Sequence, residues 1–467
     1  MKTTTAHTPL VKPLSYRVEA SEPRLTGYGG VGLLASFVNQ LQVPEMLAGL
    51  PALPSTRRYP AWSYLLGMFY GLTLDRSRQQ HIAELGEDPV FLALTGLGEM
   101  ARQSSLSRFG KRVRMPTAHA LLEANRQLVA RMRRGFAERD TLTLDFDSHT
   151  QTTLGRPQRA AVGYNRRRPG AQRATDRCLP SSARLATLWA GAFGRATRTT
   201  SKGPRRSLTS CVAGCAGLAF AASWAFGATM ASMRAGSCSL RSQARSPRLR
   251  SGRSNTSFLD HLERWQTTYA VVADLAGLGL RLVGLQYRPL DDEYAVAEFR
   301  HRAAGWKRAR RMIAIRRRLD PKEPKRGKQL RLLEAEGYSW QVIVTNCPDP
   351  PEAVWRHYNG RCNVENPIEE GRLGFSMDEV CSHNYAANAL HNWLALLAAN
   401  VLGWFQERVL GWIQREQIAG LREKLLRIPA RLIRTGRQWV LRLSAHSPHV
   451  RLFLRAHHRL RAGPIFS

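Results

Sequence analysis

The chain is poor in acidic residues. Of its 467 residues, 35 are Asp or Glu and 70 are Lys or Arg, which gives a formal net charge of +35 at pH 7. A surplus of this size repels cationic partners and favours a polyanion, most simply nucleic acid, with binding that weakens as salt rises. The charge alone fits a DNA-binding protein and a basic RNA-binding or ribosome-associated protein equally well.

Cysteine and uninterrupted apolar sequence are also scarce. The seven cysteines are scattered, and Cys211 and Cys215 have no second pair to complete a metal-type framework. The N-terminus lacks a basic-then-apolar signal pattern, so a reducing cytoplasm is expected, with nucleoid association if the partner is DNA. The most apolar stretch, Ala386–Phe405, contains Asn388 and His391, which predicts a buried helix and no membrane partner.

The sequence changes character along the chain. Residues from about Leu25 to Arg134 show mainly helical periodicity, and the apolar run after Pro60 has a proline at a favourable helix start. Period-two alternation then predicts strands at four places: Thr141–Asp147, Thr268–Ala273, Met312–Arg316 and Ser339–Thr345. From Tyr385 to the C-terminus we again predict basic amphipathic helices. Strands flanked by helices indicate an α/β protein.

The most informative motif lies in residues 358–372. Tyr358, Arg361 and Glu365 are spaced by three and four residues, and Arg372 follows seven positions later. In a helix this spacing puts a phenol, a guanidinium and a carboxylate on one face. A solvated charged helix face is the alternative interpretation of this motif by itself.

A second block precedes it. The strand around Asp145 and Asp147 is followed by Ser148, and then by Gly163-Tyr-Asn-Arg-Arg-Arg-Pro-Gly170. Together the two blocks resemble bacterial insertion-sequence DDE transposases of the Tyr-Arg-Glu branch. That family usually has Lys where this chain has Arg372, which keeps the cation but changes its geometry. The resemblance covers most of the chain.

The resemblance implies a ribonuclease-H-like mixed sheet with a β-rich insertion, flanked by helical regions. We therefore expect a helical N-terminal DNA-binding region at 1–137 and a basic helical C-terminal region at 403–467. The catalytic domain would span 138–402, with its β-rich insertion at 272–346.

The resemblance also implies a function and a site. The enzyme would cleave strands at the terminal inverted repeats of double-stranded DNA and join them to target DNA, as a homodimer on that DNA. Asp147 and Glu365 would be catalytic metal ligands for Mg²⁺ or Mn²⁺, since hard divalent ions prefer carboxylate oxygens. Asp145, on the same strand face as Asp147, is the alternative ligand. Tyr358, Arg361 and Arg372 would contact phosphate.

One stretch departs from the family pattern. Residues 171–258 hold 14 Lys or Arg, one acid (Asp176) and four of the seven cysteines. The family would place its second catalytic Asp here, in an Arg-x-Asp-x-Gly-Phe block, and no such block is present. A disordered basic linker is one interpretation of this composition.

A frameshift is the sharper interpretation of the same stretch. Because Trp and Met have single codons, the shifted triplets around Trp224–Arg234 are nearly fixed. With GC-rich third bases they can read Gly-Leu-Arg-Gly-Asp-Asp-Gly-Phe-Asp, which is the missing block. We therefore infer two compensating frameshifts, near Gly170 and near Ser257, so that about 171–257 is out of frame, poorly ordered and unable to form a sheet centre.

The sequence leaves several functions in competition. The first is a DDE transposase, in a copy that is inactive. The alternative is a decayed transposase that still binds DNA but does not cleave it. An RNA-binding protein explains the charge but neither carboxylate block. A serine recombinase is disfavoured because no Ser lies in a matching Arg-rich context.

Overall fold

The computed structural model describes the helical regions and most of the sheet. The described residues are 21–132, 141–146, 152–153, 157–158, 161–162, 177–178, 233–241, 267–272, 279–302, 308–319, 334–335, 337–359, 369–377, 379, 381–412 and 416–463. For the strands between 141 and 272, and for residues 334–335, the description covers the backbone and its pairing.

Within the described residues 21–132, seven helices account for most of the chain, which agrees with the mainly helical periodicity of the sequence. In chain order they are α1 Val31–Gln40, α2 Val43–Ala48, α3 Ala61–Thr73, α4 Gln79–Leu85, α5 Pro89–Thr95, α6 Gln103–Arg112 and α7 Met115–Met132. Pro60 immediately precedes α3 in an extended conformation, which confirms the predicted helix start. Asp88 caps α5, because its carboxylate accepts hydrogen bonds from Val90 N and Phe91 N.

The apolar stretch of the C-terminal half is the central helix of the same core. It forms α11, Tyr385–Trp404, and 17 of its 20 residues are buried, including Asn388 and His391. It packs against α3 and α7, so N-terminal and C-terminal helices share one apolar core. A helix buried on all sides needs apolar residues around its whole circumference, which explains the weak amphipathic pattern. The prediction of a buried helix is confirmed.

No helix among the described residues is long and apolar enough to cross a membrane.

The sheet contains all four strands that the sequence predicts. Its strands are β2 Thr141–Phe146, β6 Met233–Arg241, β7 Thr267–Val272, β8 Arg288–Pro289, β9 Tyr294–His301, β10 Arg310–Arg318, β11 Glu334–Ala335 and β12 Tyr338–Thr345. The order is β2-β6-β7-β12-β10-β9-β8, with β11 paired to β12. Every pairing within this described part is antiparallel. The protein is therefore of mixed helix and sheet, and the ribonuclease-H-like arrangement stays a prediction.

The remaining elements are short or peripheral. Residues Leu25–Thr26 form β1, and β3 Thr152–Thr153, β4 Ala161–Val162 and β5 Arg177–Cys178 make a separate small sheet. Helix α8 is Gly279–Val283, before the β8–β9 hairpin.

One expectation about the atypical stretch is wrong. We expected residues 171–257 to contribute no central strand, yet β6 lies in this stretch and pairs with β2 on one side and β7 on the other. Sheet hydrogen bonds come from the backbone, so an extended segment without proline can pair whatever its side chains are. The register shifts between Arg234 and Gly236, as a β-bulge would produce.

The prediction that the chain is helical throughout from Tyr385 to the C-terminus is wrong in part. A π-helical turn, Phe405–Leu410, ends α11, and the short helix α12, Ile418–Leu421, continues into a second π-helical segment, Arg422–Leu426.

An antiparallel hairpin then follows, formed by β13 Ala430–Thr435 and β14 Gln438–Leu443. Pro429 cannot continue a helix, and Gly436 supplies the positive φ of the turn. Helix α13, Val450–Arg461, closes the described chain and agrees with the prediction for that part.

Candidate functional site

The first residue of the Tyr-Arg-Glu motif lies on a helix that packs against the sheet. This helix, α9, is Pro351–Asn359, and it buries Val354 and Tyr358 four residues apart on one face. Tyr358 is 6% exposed and shares a cluster with Val296, Ile313, Ile315, Ile343, Cys347 and Val354. The bulk of its ring is therefore part of the core.

The turn before α9 is fixed by one arginine of the sheet. Arg311 pairs with Glu298 across β9 and β10, with Nη2 2.7 Å from the carboxylate, and it also donates to the carbonyl oxygens of Cys347 and Asp349. The hydrogen bond from Arg311 lowers the pKa of Glu298. At the helix start, Glu352 accepts from Arg288 at 2.7 Å. These contacts fix the direction in which α9 leaves the sheet.

The last residue of the motif lies on a helix that contacts the helical core. Residues 369–374 form α10, on which Arg372 is half-buried. Glu370 Oε1 accepts from Ile418 N at 2.5 Å, and Gly374 O accepts from Arg422 Nη2 at 2.6 Å. Arg422 also donates to carbonyls at the end of α3, and burial lowers its pKa to about 10. Arg372 is thus placed by the C-terminal region.

The motif therefore starts on a helix that packs against the sheet, α9, and ends on a helix that contacts the helical core, α10. Arg361 and Glu365 lie between Asn359 and residue 369, outside the described residues. Their predicted place on the helical face of Tyr358 is untested.

The other predicted carboxylates lie on and just after β2. Asp145 is the fifth residue of β2 and is paired in register with Ser237 of β6. Asp147 directly follows the strand and lies outside the described residues. Within the part that is described, no group of three His, Cys, Asp or Glu residues is arranged to hold a metal ion.

The two strands that follow β2 in the order of the sheet supply no further carboxylate. Neither β6, Met233–Arg241, nor β7, Thr267–Val272, contains an Asp or a Glu. The strand that pairs with β2, namely β6, therefore has no acidic side chains. A third carboxylate would have to come from elsewhere in the chain.

The structure adds residues that sequence patterns did not single out. Leu373, next to Arg372, is 69% exposed, and Glu370 and Arg422 anchor the helix that carries both. The role of Glu370 and Arg422 depends on contacts between residues that are 48 positions apart in the sequence, so no local pattern indicates it.

Comparison with known families gives a match over two separate parts of the chain. The family described as transposase DDE domain, group 1, matches residues 9–167 and 268–464. No curated protein and no solved structure matches the chain.

The match covers most of the chain and assigns it to a class of DNA-processing enzymes. The chain belongs to the DDE transposase family, whose members cleave and transfer DNA strands and generally use divalent metal ions.

The match is interrupted at residues 168–267. This interval contains the whole stretch, 171–257, in which the sequence lacks the expected Asp block. The family pattern resumes within the segment that includes β7, Thr267–Val272.

Proposed function

We propose that this chain is a copy of an insertion-sequence transposase, an enzyme whose active form cuts DNA at the terminal inverted repeats of its element. Family membership supports DNA strand cleavage and transfer in general. The single observation that carries the proposal is the match to both parts of the chain that hold the predicted carboxylates, residues 9–167 and 268–464.

Asp147 and Glu365 are the proposed ligands of a divalent ion, with Asp145 as the alternative to Asp147. Carboxylate oxygens are the donors that Mg²⁺ prefers, and Mn²⁺ accepts the same donors. When bound, such an ion activates the attacking oxygen and stabilises the leaving oxygen at phosphorus. Asp145 lies near the end of β2, two residues before Asp147, which supports it as the alternative ligand.

Arg361 and Arg372 are the proposed phosphate contacts, with a smaller contribution from Tyr358. A guanidinium can donate two parallel hydrogen bonds to one phosphate. Arg372 is half-buried on a helix that hydrogen bonds to Glu370 and Gly374 hold in place, so the backbone from which its side chain projects is fixed. Because Tyr358 is 6% exposed, its ring acts mainly by positioning α9 against the sheet.

Helix α6 is a proposed second contact with DNA. Its Leu106 and Phe109 are buried, whereas Arg108, Lys111 and Arg112 are exposed on the opposite side. Asn384 donates to the carbonyls of Gly110 and Val113, which fixes the end of this helix against the core. The arrangement presents cations on a rigid element, as contact with a phosphate backbone requires.

This copy is proposed to be inactive, because its second carboxylate is absent. The interruption of the family match at 168–267 and the lack of acids in β6 support that view. Two compensating frameshifts, near Gly170 and Ser257, are our explanation. The alternative function, a non-catalytic DNA-binding protein, is favoured for the chain as it stands by the same observations.

A cleavage assay tests the proposal. The chain as given and a frame-restored chain are each incubated with labelled inverted-repeat DNA, with Mg²⁺ and with EDTA. We expect DNA binding by both, and cleavage by the restored chain with Mg²⁺. Asp147→Asn and Glu365→Gln in the restored chain should each lower the rate by at least about a hundredfold.

A matched control uses a neighbouring carboxylate. Glu369 is exposed on α10, so Glu369→Gln should leave the rate unchanged. Equal losses for Glu369→Gln and Glu365→Gln would contradict the assignment of Glu365. Metal-dependent cleavage by the chain as given would contradict its inactivity.

A further inference from the structure

The hairpin of β13 and β14 carries an exposed aromatic side chain near its turn. Six large hydrophobic side chains are exposed among the described residues, and Trp439, 60% exposed, is the aromatic one. Isolated exposed hydrophobic residues are common on protein surfaces and need no explanation by themselves. The surroundings of Trp439 are what distinguish it.

One face of the hairpin passes from buried to exposed along its length. The cross-strand pairs on this face are Ala430 with Leu443, Leu432 with Leu441, and Arg434 with Trp439. The first pair contains the buried Ala430, the second pair is partly buried, and the third is exposed. The base of the hairpin therefore rests on the helical core, and its tip extends beyond the core.

The tip combines an aromatic ring with two cations. The guanidinium carbon of Arg434 lies 5.9 Å from the centre of the Trp439 ring, a cation–π distance. The strands are joined through Gly436, at a φ of 59°, and the exposed Arg437. A two-residue turn of this kind matches the twist of a hairpin and holds both strands in fixed register.

The chain segment that contains the tip carries charge of one sign, and the acid Glu22 from another segment pairs with Arg431, nearer the base of the hairpin. Residues 424–467 contain ten Lys or Arg and no Asp or Glu. Helix α13 of this segment buries Phe453, Ala456 and Leu460 and exposes Arg451 and Arg455 on other faces. An aromatic ring among cations complements a polyanion that also offers flat apolar rings, and nucleic acid combines both properties.

We propose that the tip of this hairpin, Arg434, Arg437 and Trp439, binds DNA by stacking the Trp439 ring on an unpaired or unstacked base. Arg434 and Arg437 contact the phosphates that flank this base. The choice of DNA as the nucleic acid rests on the proposed function, whereas the stacking contact rests on the hairpin itself. A strand end, a nick or a distorted base step would each present such a base.

The test is DNA affinity without metal or cleavage. Binding of the full chain to a fluorescein-labelled polythymidine single strand is measured by anisotropy in EDTA. We expect Trp439→Ala to weaken binding about tenfold and Trp439→Phe to retain most of the affinity, because a phenyl ring also stacks. The affinity for an intact duplex should fall much less on Trp439→Ala substitution, since the bases of a duplex are already stacked.

The control lies on the same strand but on the other face. Val440 is 37% exposed and its side chain points away from the Trp439 face, so Val440→Ala should bind like the wild type. The double variant Arg434→Ala, Arg437→Ala should lower the slope of log affinity against log salt by about 0.7 for each lost phosphate contact. Equal melting temperatures would show that all variants fold.

Three results would overturn the proposal. The first is equal single-strand affinity for Trp439→Ala and Val440→Ala, and the second is an equal loss on duplex and single strand. The third is loss of self-association in Trp439→Ala, seen by sedimentation, with unchanged DNA affinity, which would assign the hairpin to a second copy of the chain. These outcomes are independent of the metal-dependent cleavage that tests the proposed function.

Discussion

Arg422 donates from Nη2 to the carbonyl oxygen of Gly374 at 2.6 Å, and so joins the C-terminal region to the helix that carries Arg372. The same guanidinium donates at 2.8 Å to the carbonyls of Leu72 and Thr73, at the end of α3. A helix ends with carbonyl groups that lack intrahelical partners, and a cation there also interacts well with the helix dipole. One side chain thus holds three segments together.

Arg422→Met should destabilise the protein by about 3 kcal/mol, because it leaves buried carbonyls without donors. Arg422→Lys should restore little, since an ammonium lacks the planar fork that reaches several acceptors. Urea unfolding followed by circular dichroism measures the change. The control is Arg408→Met, at a residue that is exposed. Equal stabilities of the two Met variants would contradict the role of Arg422.

Gly30 is predicted to tolerate no side chain. A Cβ at this position would lie 1.8 Å from the carbonyl oxygen of Leu425, which is backbone and cannot move aside cheaply. Gly30→Ala should therefore cost about 3 kcal/mol or more by separating α1 from the C-terminal segment. Gly27→Ala is the matched control, since a Cβ there meets nothing within 4 Å. Similar melting temperatures for the two variants would show that the contact is absent.

Asp88 is predicted to stabilise both α5 and the chain before α1. Its Oδ1 accepts from Val90 N at 2.9 Å and Phe91 N at 2.8 Å, and its Oδ2 accepts from Thr26 Oγ1 at 2.5 Å. Asp88→Ala should cost about 1 to 2 kcal/mol, and Asp88→Asn less, since an amide oxygen still caps a helix. The exposed neighbour Glu87 supplies the control, Glu87→Ala, measured in the same denaturation series. A larger loss for Glu87→Ala would refute the capping role.

His391 is predicted to make stability fall at acidic pH. Burial lowers its pKa below the usual 6.5, although the contact of Nε2 with Ser376 O, at 3.1 Å, and Glu379 act in the opposite direction. In the unfolded chain His391 binds a proton as the pH falls through about 6.5, whereas in the folded chain it binds the proton only at lower pH. This contribution to stability is therefore full above pH 6.5 and is lost progressively below it.

The measurement compares melting temperatures at pH 7.5 and pH 5.5. His391→Gln should show a smaller drop between these two values than the wild type, even if it is less stable at both. His446→Gln, at an exposed histidine, should keep the wild-type drop. An unchanged drop in His391→Gln would contradict the assignment.

The sequence predicts the regular elements well where the side-chain period is strong. The strand Ser339–Thr345 and the helix after Pro60 are both found, because a buried face imposes a period of two or of 3.6 residues. The hairpin at Ala430–Leu443 is missed, because Leu, Ile and Arg alternate too irregularly to separate a strand from a basic helix. Pro429 and Gly436 are the signals that favour a turn there.

The candidate site is predicted less completely than the fold. The motif spacing makes Tyr358 and Arg372 candidates for the site, but it does not indicate that the Tyr358 ring is buried against the sheet. Nor does it indicate that Glu370 and Arg422 fix the helix of Arg372. Such contacts join residues far apart in sequence, and burial depends on which elements meet in three dimensions. A single sequence carries little local signal for either.

The set of metal-binding carboxylates decides whether this chain can cleave DNA. The family match stops at residue 167 and resumes at residue 268, and the expected second Asp falls in the interval between. The most direct test is to sequence the gene across the codons for Asn165 to Leu262. We predict that the codons for Trp224–Arg234, in the shifted frame, encode Gly-Leu-Arg-Gly-Asp-Asp-Gly-Phe-Asp. A shifted frame that contains stop codons, or no acidic block, would contradict the two proposed frameshifts.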